Sequence, residues 1–168
     1  MQEFGNITEI VVVAIASMVI ALVARRQKIL DLGGAVLSFV ICFVIGTLAH
    51  WSWFILLLIF VAGSYLATLL GFRYKIYIGV QEGTKGTRSE TNVISNGSIP
   101  SLVAIMYFFE IINVEEAIIG FTTSLAVAAA DTIASEIGVL GGEAVLITSP
   151  SKRVPPGTNG GITVIGTV

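Results

Sequence analysis

WSWFILLLIFVAGSYLATLLGF, residues 51–72, is the stretch whose reading decides the fold. It carries no charge between His50 and Arg73, and a membrane span needs about 20 apolar residues, with a range of roughly 17–25. His50, Trp51 and Trp53 form a polar and aromatic girdle at its start, as expected at a membrane interface. Upstream, residues 32–49 are again uncharged and open on Gly33-Gly34. Residues 7–24 form an earlier apolar segment that stops at Arg25-Arg26-Gln27-Lys28. Downstream lie residues 97–113, with Pro100 expected in the first helical turn, and residues 117–138. The expected fold is all-α: a polytopic transmembrane helix bundle in a single domain, residues 1–168. It has five complete spans (7–24, 32–49, 51–72, 97–113 and 117–138), and residues 162–168 are read as the start of a sixth.

Composition agrees. The 168 residues are 55% hydrophobic and 12% charged, with a mean hydropathy of +0.93, whereas soluble domains carry about 25% charged residues. A net charge of -2 gives no ground for a nucleic-acid partner. Cys42 is the single cysteine, so no intramolecular disulfide forms, and it reads as a small packing residue. Met1-Gln2-Glu3 lacks the basic start of a cleavable signal, and the arginines follow the first apolar segment.

The placement of charge orients the chain. All nine Lys and Arg fall in alternate loops, residues 25–31, 73–96 and 139–161, and the intervening side carries Glu3, Glu9, His50, Glu110, Glu115 and Glu116. The positive-inside rule puts the N-terminus outside and the basic loops in the cytoplasm of a multi-pass cell-membrane protein.

The polar clusters gather on the basic side. Asp131 lies roughly 21 Å along a helix entering near Ala117, within or at the edge of a hydrocarbon core about 30 Å thick. A carboxylate there costs at least about 2.5 kcal/mol on insertion scales, so it calls for a partner, a metal or water. Ser135 shares its face at i+4, Thr132 and Glu136 pair on the neighbouring face, and Ala128-Ala129-Ala130 permits close helix approach. A packing ion pair is the alternative role for Asp131. The run from Ser149 through Lys152-Arg153 to Pro155-Pro156-Gly157-Thr158-Asn159-Gly160-Gly161 suits an anion site, with cations, Thr and Asn donors and turning glycines. It equally suits an interfacial loop meeting lipid headgroups, and no Walker A motif is present. Lys85, Arg88, Glu90, Asn92 and Asn96 fit either phosphate binding or a solvated basic loop. Gly33-Gly34 fits close packing or backbone donors aimed at a phosphate. His50 reads as an interfacial residue.

Four pieces in order resemble the phytyl-phosphate kinase group of membrane proteins. They are Arg26-Gln27-Lys28-Ile29-Leu30-Asp31-Leu32-Gly33-Gly34-Ala35-Val36; Arg88 through Asn96-Gly97 with Pro100; Ala130-Asp131-Thr132-Ile133-Ala134-Ser135-Glu136-Ile137-Gly138; and Pro156-Gly157-Thr158-Asn159-Gly160-Gly161. The last two also look like a pattern in the CTP-using dolichol and phytol kinases and the CDP-diacylglycerol synthases. The resemblance implies that Asp131, with Glu136, holds Mg²⁺, and that Lys152, Arg153 and residues 157–161 cradle nucleotide phosphates. Asp131, Lys152 and Arg153 are then the expected catalytic residues. The expected substrate- and nucleotide-binding set is Gly33, Gly34, Lys85, Arg88, Asn92, Asn96, Ser135, Gly157, Thr158, Asn159 and Gly160.

The implied activity is phosphoryl transfer from CTP or another NTP to an isoprenoid monophosphate, a reaction that rests on positioning and charge neutralisation. A C20 tail, at about 0.8 kcal/mol per buried CH₂, favours a membrane site. Membrane lipid or isoprenoid phosphate and nucleotide are the expected partners, and homo-oligomerisation is open to a bundle this small. The alternatives are a lipid or small-solute transporter, which needs polar groups near the midplane and on both sides, and a purely structural membrane subunit.

Overall fold

A computed structural model describes residues 6–81 and 87–167. Among them are seven helices: α1 (Ile7–Arg26), α2 (Leu32–Leu48), α3 (Trp51–Leu69), α4 (Phe72–Ile78), α5 (Glu90–Phe108), α6 (Val114–Gly138) and α7 (Val164–Thr167). A short sheet adds β1 (Ala144–Leu146), β2 (Ser149–Val154) and β3 (Gly161–Ile162). By length and composition α1, α3 and α6, the last extended to Gly141, are able to cross a membrane; α2, at 17 residues, is shorter but apolar. The chain divides into two compact units, Met1–Val61 with Thr87–Val127, and Ala62–Gly86 with Ala128–Val168.

In the first unit, local chemistry sets the helix starts. The Glu9 N–H donates to Asn6 Oδ1 (2.9 Å) while the Asn6 N–H donates to Glu9 Oε2 (3.2 Å), a reciprocal cap on α1. Asn113 and Glu116 repeat it on α6, at 2.9 and 3.0 Å. Glu9, Glu115 and Glu116 thus sit in the first turns of helices, where the peptide dipoles favour negative charge. Arg25 and Arg26 occupy the last turn of α1, where cations are favoured.

α2 packs between α1 and α5. Gly97 of α5 lies so close to Ile41 of α2 that any side chain there would collide with it. The core joins Cys42 and Ile45 of α2, Trp53 and Leu57 of α3, Ala104 of α5, and Ala117, Phe121 and Leu125 of α6. The Trp53 ring centre is 4.4 Å from that of Phe121 and 5.5 Å from that of Tyr107. These contacts bring the N-terminal ends of α3 and α6 beside the C-terminal end of α5. At the other end, the turn after α1 is tied to the residues before α5: the Arg88 N–H donates to the Ile29 carbonyl (2.8 Å), and the Asp31 N–H to the Arg88 carbonyl (3.1 Å). α5 therefore runs the length of the unit, parallel to α2 and antiparallel to α3 and α6. The large apolar side chains of α1 mostly face outward, among them Val11, Val12, Ile15, Val19 and Leu22, which suits a lipid surround and not water.

The second unit holds the C-terminal parts of α3 and α6 with everything from α4 and β1 onward. Gly71 at φ 62° makes the turn from α3 into α4, a conformation open to glycine without a Cβ penalty. The sheet is antiparallel in the order β2-β1-β3, with Val145 opposite both Arg153 and Ile162. Thr163 Oγ1 donates to the Gly138 carbonyl (3.0 Å), and Gly166 of α7 rests against the Gly138 backbone, docking α7 on the end of α6.

Three expectations are corrected. The fold is mostly helical but not all-α, because the Pro- and Gly-rich stretch 139–161 carries three strands. The loop expected at 73–96 contains α4 and the first turns of α5. The fourth apolar segment is helical from Glu90 to Phe108, so Pro100 lies buried inside α5 and not in its first turn. Its missing N–H leaves the Asn96 carbonyl without the usual i+4 donor, which membrane helices tolerate better than soluble ones. The residues read as opening a sixth span are helical over Val164–Thr167, in α7.

Candidate functional site

The most distinctive chemistry in the second unit is a buried ion pair at the end of α3. Lys75, on α4, is wholly buried. Its Nζ lies 2.7 Å from Glu136 Oε2 and donates to the carbonyls of Ala67 (3.1 Å) and Thr68 (3.3 Å). Those carbonyls belong to the last turn of α3, where the regular i+4 donors run out and a cation is favoured. All three ammonium protons are thereby placed. Thr68 donates its hydroxyl to Glu136 Oε1 at 2.6 Å, so both carboxylate oxygens of Glu136 are engaged as well. The contact also sets the C-terminal ends of α3 and α6 side by side.

Asp131 has a different setting. α6 begins at Val114, earlier than the sequence suggests, which puts Asp131 about 25 Å along the helix and about 7.5 Å short of Glu136. Its side chain is exposed, and no hydrogen bond or ion pair joins it to any of the described residues. Ser135 is exposed on the same face. Glu136, expected beside Asp131 as a metal ligand, is instead committed to Lys75 and Thr68. No cluster of three or more His, Cys, Asp or Glu able to hold a metal occurs among the described residues.

Lys152 and Arg153 lie exposed on β2, an edge strand. Arg153 Nη1 reaches Glu143 Oε2 at 2.6 Å, in a pair whose side chains are 77% and 70% exposed. Such a pair contributes little, so Arg153→Ala is expected to change unfolding stability by no more than about 1 kcal/mol. Thermal unfolding of the purified variant checks this; a larger loss would give Arg153 a structural role. The glycine loop is held by its own backbone. The Thr158 hydroxyl donates to the Pro155 carbonyl (2.7 Å), and the Gly161 N–H donates to the Thr158 carbonyl (2.9 Å). Gly157, at φ 80°, sits where a Cβ would come within 2.8 Å of Val80. Asn159 and Gly160 are exposed at the tip.

The other expected residues fall in the first unit. Asp31 caps α2, accepting from the Gly34 N–H at 2.7 Å. A parallel bridge between Leu30 and Arg88 then sets the N-terminus of α5 beside that of α2. Any side chain on Gly33 would collide with the Glu90 carboxylate, so the Gly33-Gly34 pair serves close packing of these two helix starts. Arg88, Asn92 and Asn96 are half-buried on the same stretch. Lys85 lies outside the described residues. In the first unit Gly33, Gly34, Arg88 and Glu90 meet; in the second, Asp131, Ser135 and Glu136 lie on α6, and residues 152–160 lie on β2 and the loop after it.

Sequence reasoning missed Lys75, which had been counted among solvated loop charges. Its signal was the apolar company it keeps in Phe72-Arg73-Tyr74-Lys75-Ile76-Tyr77-Ile78.

Comparison with known proteins agrees with a membrane setting. The "Uncharacterized membrane protein MJ0933" of Methanocaldococcus jannaschii is 33% identical over 150 residues, covering 89% of this chain and 60% of the relative. "Protein VTE6, chloroplastic" of Arabidopsis thaliana is 30% identical over 112 residues, covering 65% of this chain and 33% of the relative. The chain thus spans less than two thirds of the length of either relative. No solved structure gives a significant match. The family described as "Integral membrane protein DUF92" matches residues 15–168. By that match, which covers nearly the whole chain and all four motifs, the protein belongs to the DUF92 family of integral membrane proteins.

Proposed function

We propose that this chain is a membrane-embedded kinase that transfers a phosphoryl group from CTP or another nucleoside triphosphate to an isoprenoid monophosphate of phytyl or geranylgeranyl type. The products are the isoprenoid diphosphate and the nucleoside diphosphate. α1, α2, α3, α5 and α6 cross the membrane with the N-terminus outside, and the basic loops and the site face the cytoplasm of the cell. The run of α5 along the first unit, parallel to α2 and antiparallel to α3, supports this path, as does the exclusive placement of Lys and Arg in alternate loops.

The observation that carries the reading is the contrast between two carboxylates on one helix. Glu136 is locked by Lys75 and Thr68, while Asp131 stands exposed with both oxygens available. That donor set fits Mg²⁺, which takes one or two carboxylates and completes its shell with water and substrate phosphates; Asp131 would hold it, and Glu136 would not. Bound there, the ion would supply neutralisation of charge on the phosphate oxygens. Asp131 orients the phosphates from the helix side. Lys152 and Arg153, both exposed on β2, contribute positive charge, with Arg153 exchanging Glu143 for a phosphate oxygen. The turns at Gly157 and Gly160 let backbone N–H groups meet phosphate oxygens. The isoprenoid tail remains among the helices.

The test is incubation of the purified chain in lipid nanodiscs with γ-labelled CTP, Mg²⁺ and geranylgeranyl or phytyl monophosphate. Label is expected in the lipid diphosphate. Absence of transfer with each common nucleotide would overturn the reading. Lipid or solute flux across liposomes without nucleotide would replace it with transport.

A further inference from the structure

Helix α4 is built inside out. Its central charge, Lys75, points wholly inward, while Tyr74, Ile76 and Tyr77 face away from the protein, Tyr77 with 87% of its surface exposed. Arg73 is exposed beside them. A short helix in water would turn these residues the other way round, since the apolar face normally seeks the core. The described part of the second unit offers no cover for this face.

The place of α4 in the chain identifies the cover. α3 is long and apolar enough to cross a membrane and ends at Leu69; only Leu70 and Gly71 separate it from Phe72. At 3.3–3.6 Å per residue α4 must begin within about 11 Å of the end of α3. The Lys75 ammonium on the carbonyls of Ala67 and Thr68 folds α4 back over that end. An aromatic, outward face held at the mouth of a membrane-crossing helix, with an arginine next to it, has the chemistry of a membrane-interface anchor. Tyrosine presents an apolar ring with a polar tip and concentrates at headgroup level, and arginine extends its guanidinium toward phosphate.

We propose that α4 lies in the membrane interface, with Tyr74, Ile76 and Tyr77 against phospholipid at the boundary of headgroups and acyl chains, and Arg73 on headgroup phosphates. The occupant of this face is lipid and not a second protein. One consequence is a fixed depth: the interfacial helix holds the Lys75–Glu136 pair just inside the headgroups, with Asp131 about 7.5 Å deeper, back toward the start of α6. The inference stands apart from the kinase reading and survives its failure.

Nitroxide labelling tests it. In a Cys42→Ser background, Tyr77→Cys and, separately, Ile76→Cys are labelled in the full chain, reconstituted in phosphatidylcholine–phosphatidylglycerol vesicles. Asn159→Cys on the exposed loop serves as the aqueous reference. The ratio of collisions with oxygen to collisions with a water-soluble nickel chelate is expected to be several-fold higher at 77 and 76 than at 159. A ratio equal to that at 159 would put α4 in water and overturn the proposal. Low access of both reagents at 77 and 76 would overturn it as well, because a protein partner and not lipid would then cover the face.

Discussion

Replacing Lys75 by methionine is expected to lower the free energy of unfolding by about 3–5 kcal/mol, the scale of breaking a buried ion pair from one side. The variant leaves Glu136 largely buried without its cation, and it removes the ammonium from the Ala67 and Thr68 carbonyls. Joint replacement, Lys75→Met with Glu136→Leu, removes both charges and is expected to recover much of the loss, since apolar residues often substitute for a buried pair at little cost. Thermal unfolding in detergent reads both variants. A single variant that melts like the wild type would show that the pair does not hold α4 to α3 and α6. A double variant no better than the single one would assign the loss to the carbonyl cap instead of the stranded carboxylate.

Asp131→Asn is expected to do the opposite, abolishing function while sparing the fold. The side chain is exposed and makes no hydrogen bond or ion pair with the described residues, so stability should change by no more than about 0.5 kcal/mol. Phosphoryl transfer should fall on the order of 10²–10³-fold, the scale of losing one preorganised electrostatic partner of the transition state. Transfer assays and melting curves on the same preparation separate the two effects. A destabilised Asp131→Asn protein would mean that the carboxylate serves packing. Unchanged transfer would remove it from the site.

The membrane helices were legible because their causes are local. Residues 7–24 and 51–72 are predominantly apolar and carry no charge apart from Glu9, and Arg25-Arg26 marks where the first must stop. Where the reading erred, the cause lay in tertiary context. Glu90, Thr91, Asn92 and Asn96 look like loop by composition, yet the bridge at Leu30 and Arg88 and the close fit of Gly97 on Ile41 carry them into α5 beside α2. Proline favours a first turn by local preference, and Pro100 is nevertheless held inside a packed helix. β1 and β2 are short and join through pairings such as Val145 with Arg153, and three apolar residues, Ala144-Val145-Leu146, were too weak a signal among prolines and glycines. Each piece of the candidate site was visible as a motif. What the motifs concealed was the division of labour between Asp131 and Glu136, because the residue that decides it, Lys75, is sixty-one positions away in the chain from Glu136.

Manganese binding addresses that division most directly. Mn²⁺ substitutes for Mg²⁺ and is followed by electron paramagnetic resonance on the purified chain in nanodiscs with CTP present. The account predicts that wild type and the Lys75→Met/Glu136→Leu variant both retain the nucleotide-dependent bound signal, and that Asp131→Asn loses it. Retention in Asp131→Asn together with loss in the Glu136 variant would contradict the account and move the metal to the carboxylate that the structure shows locked.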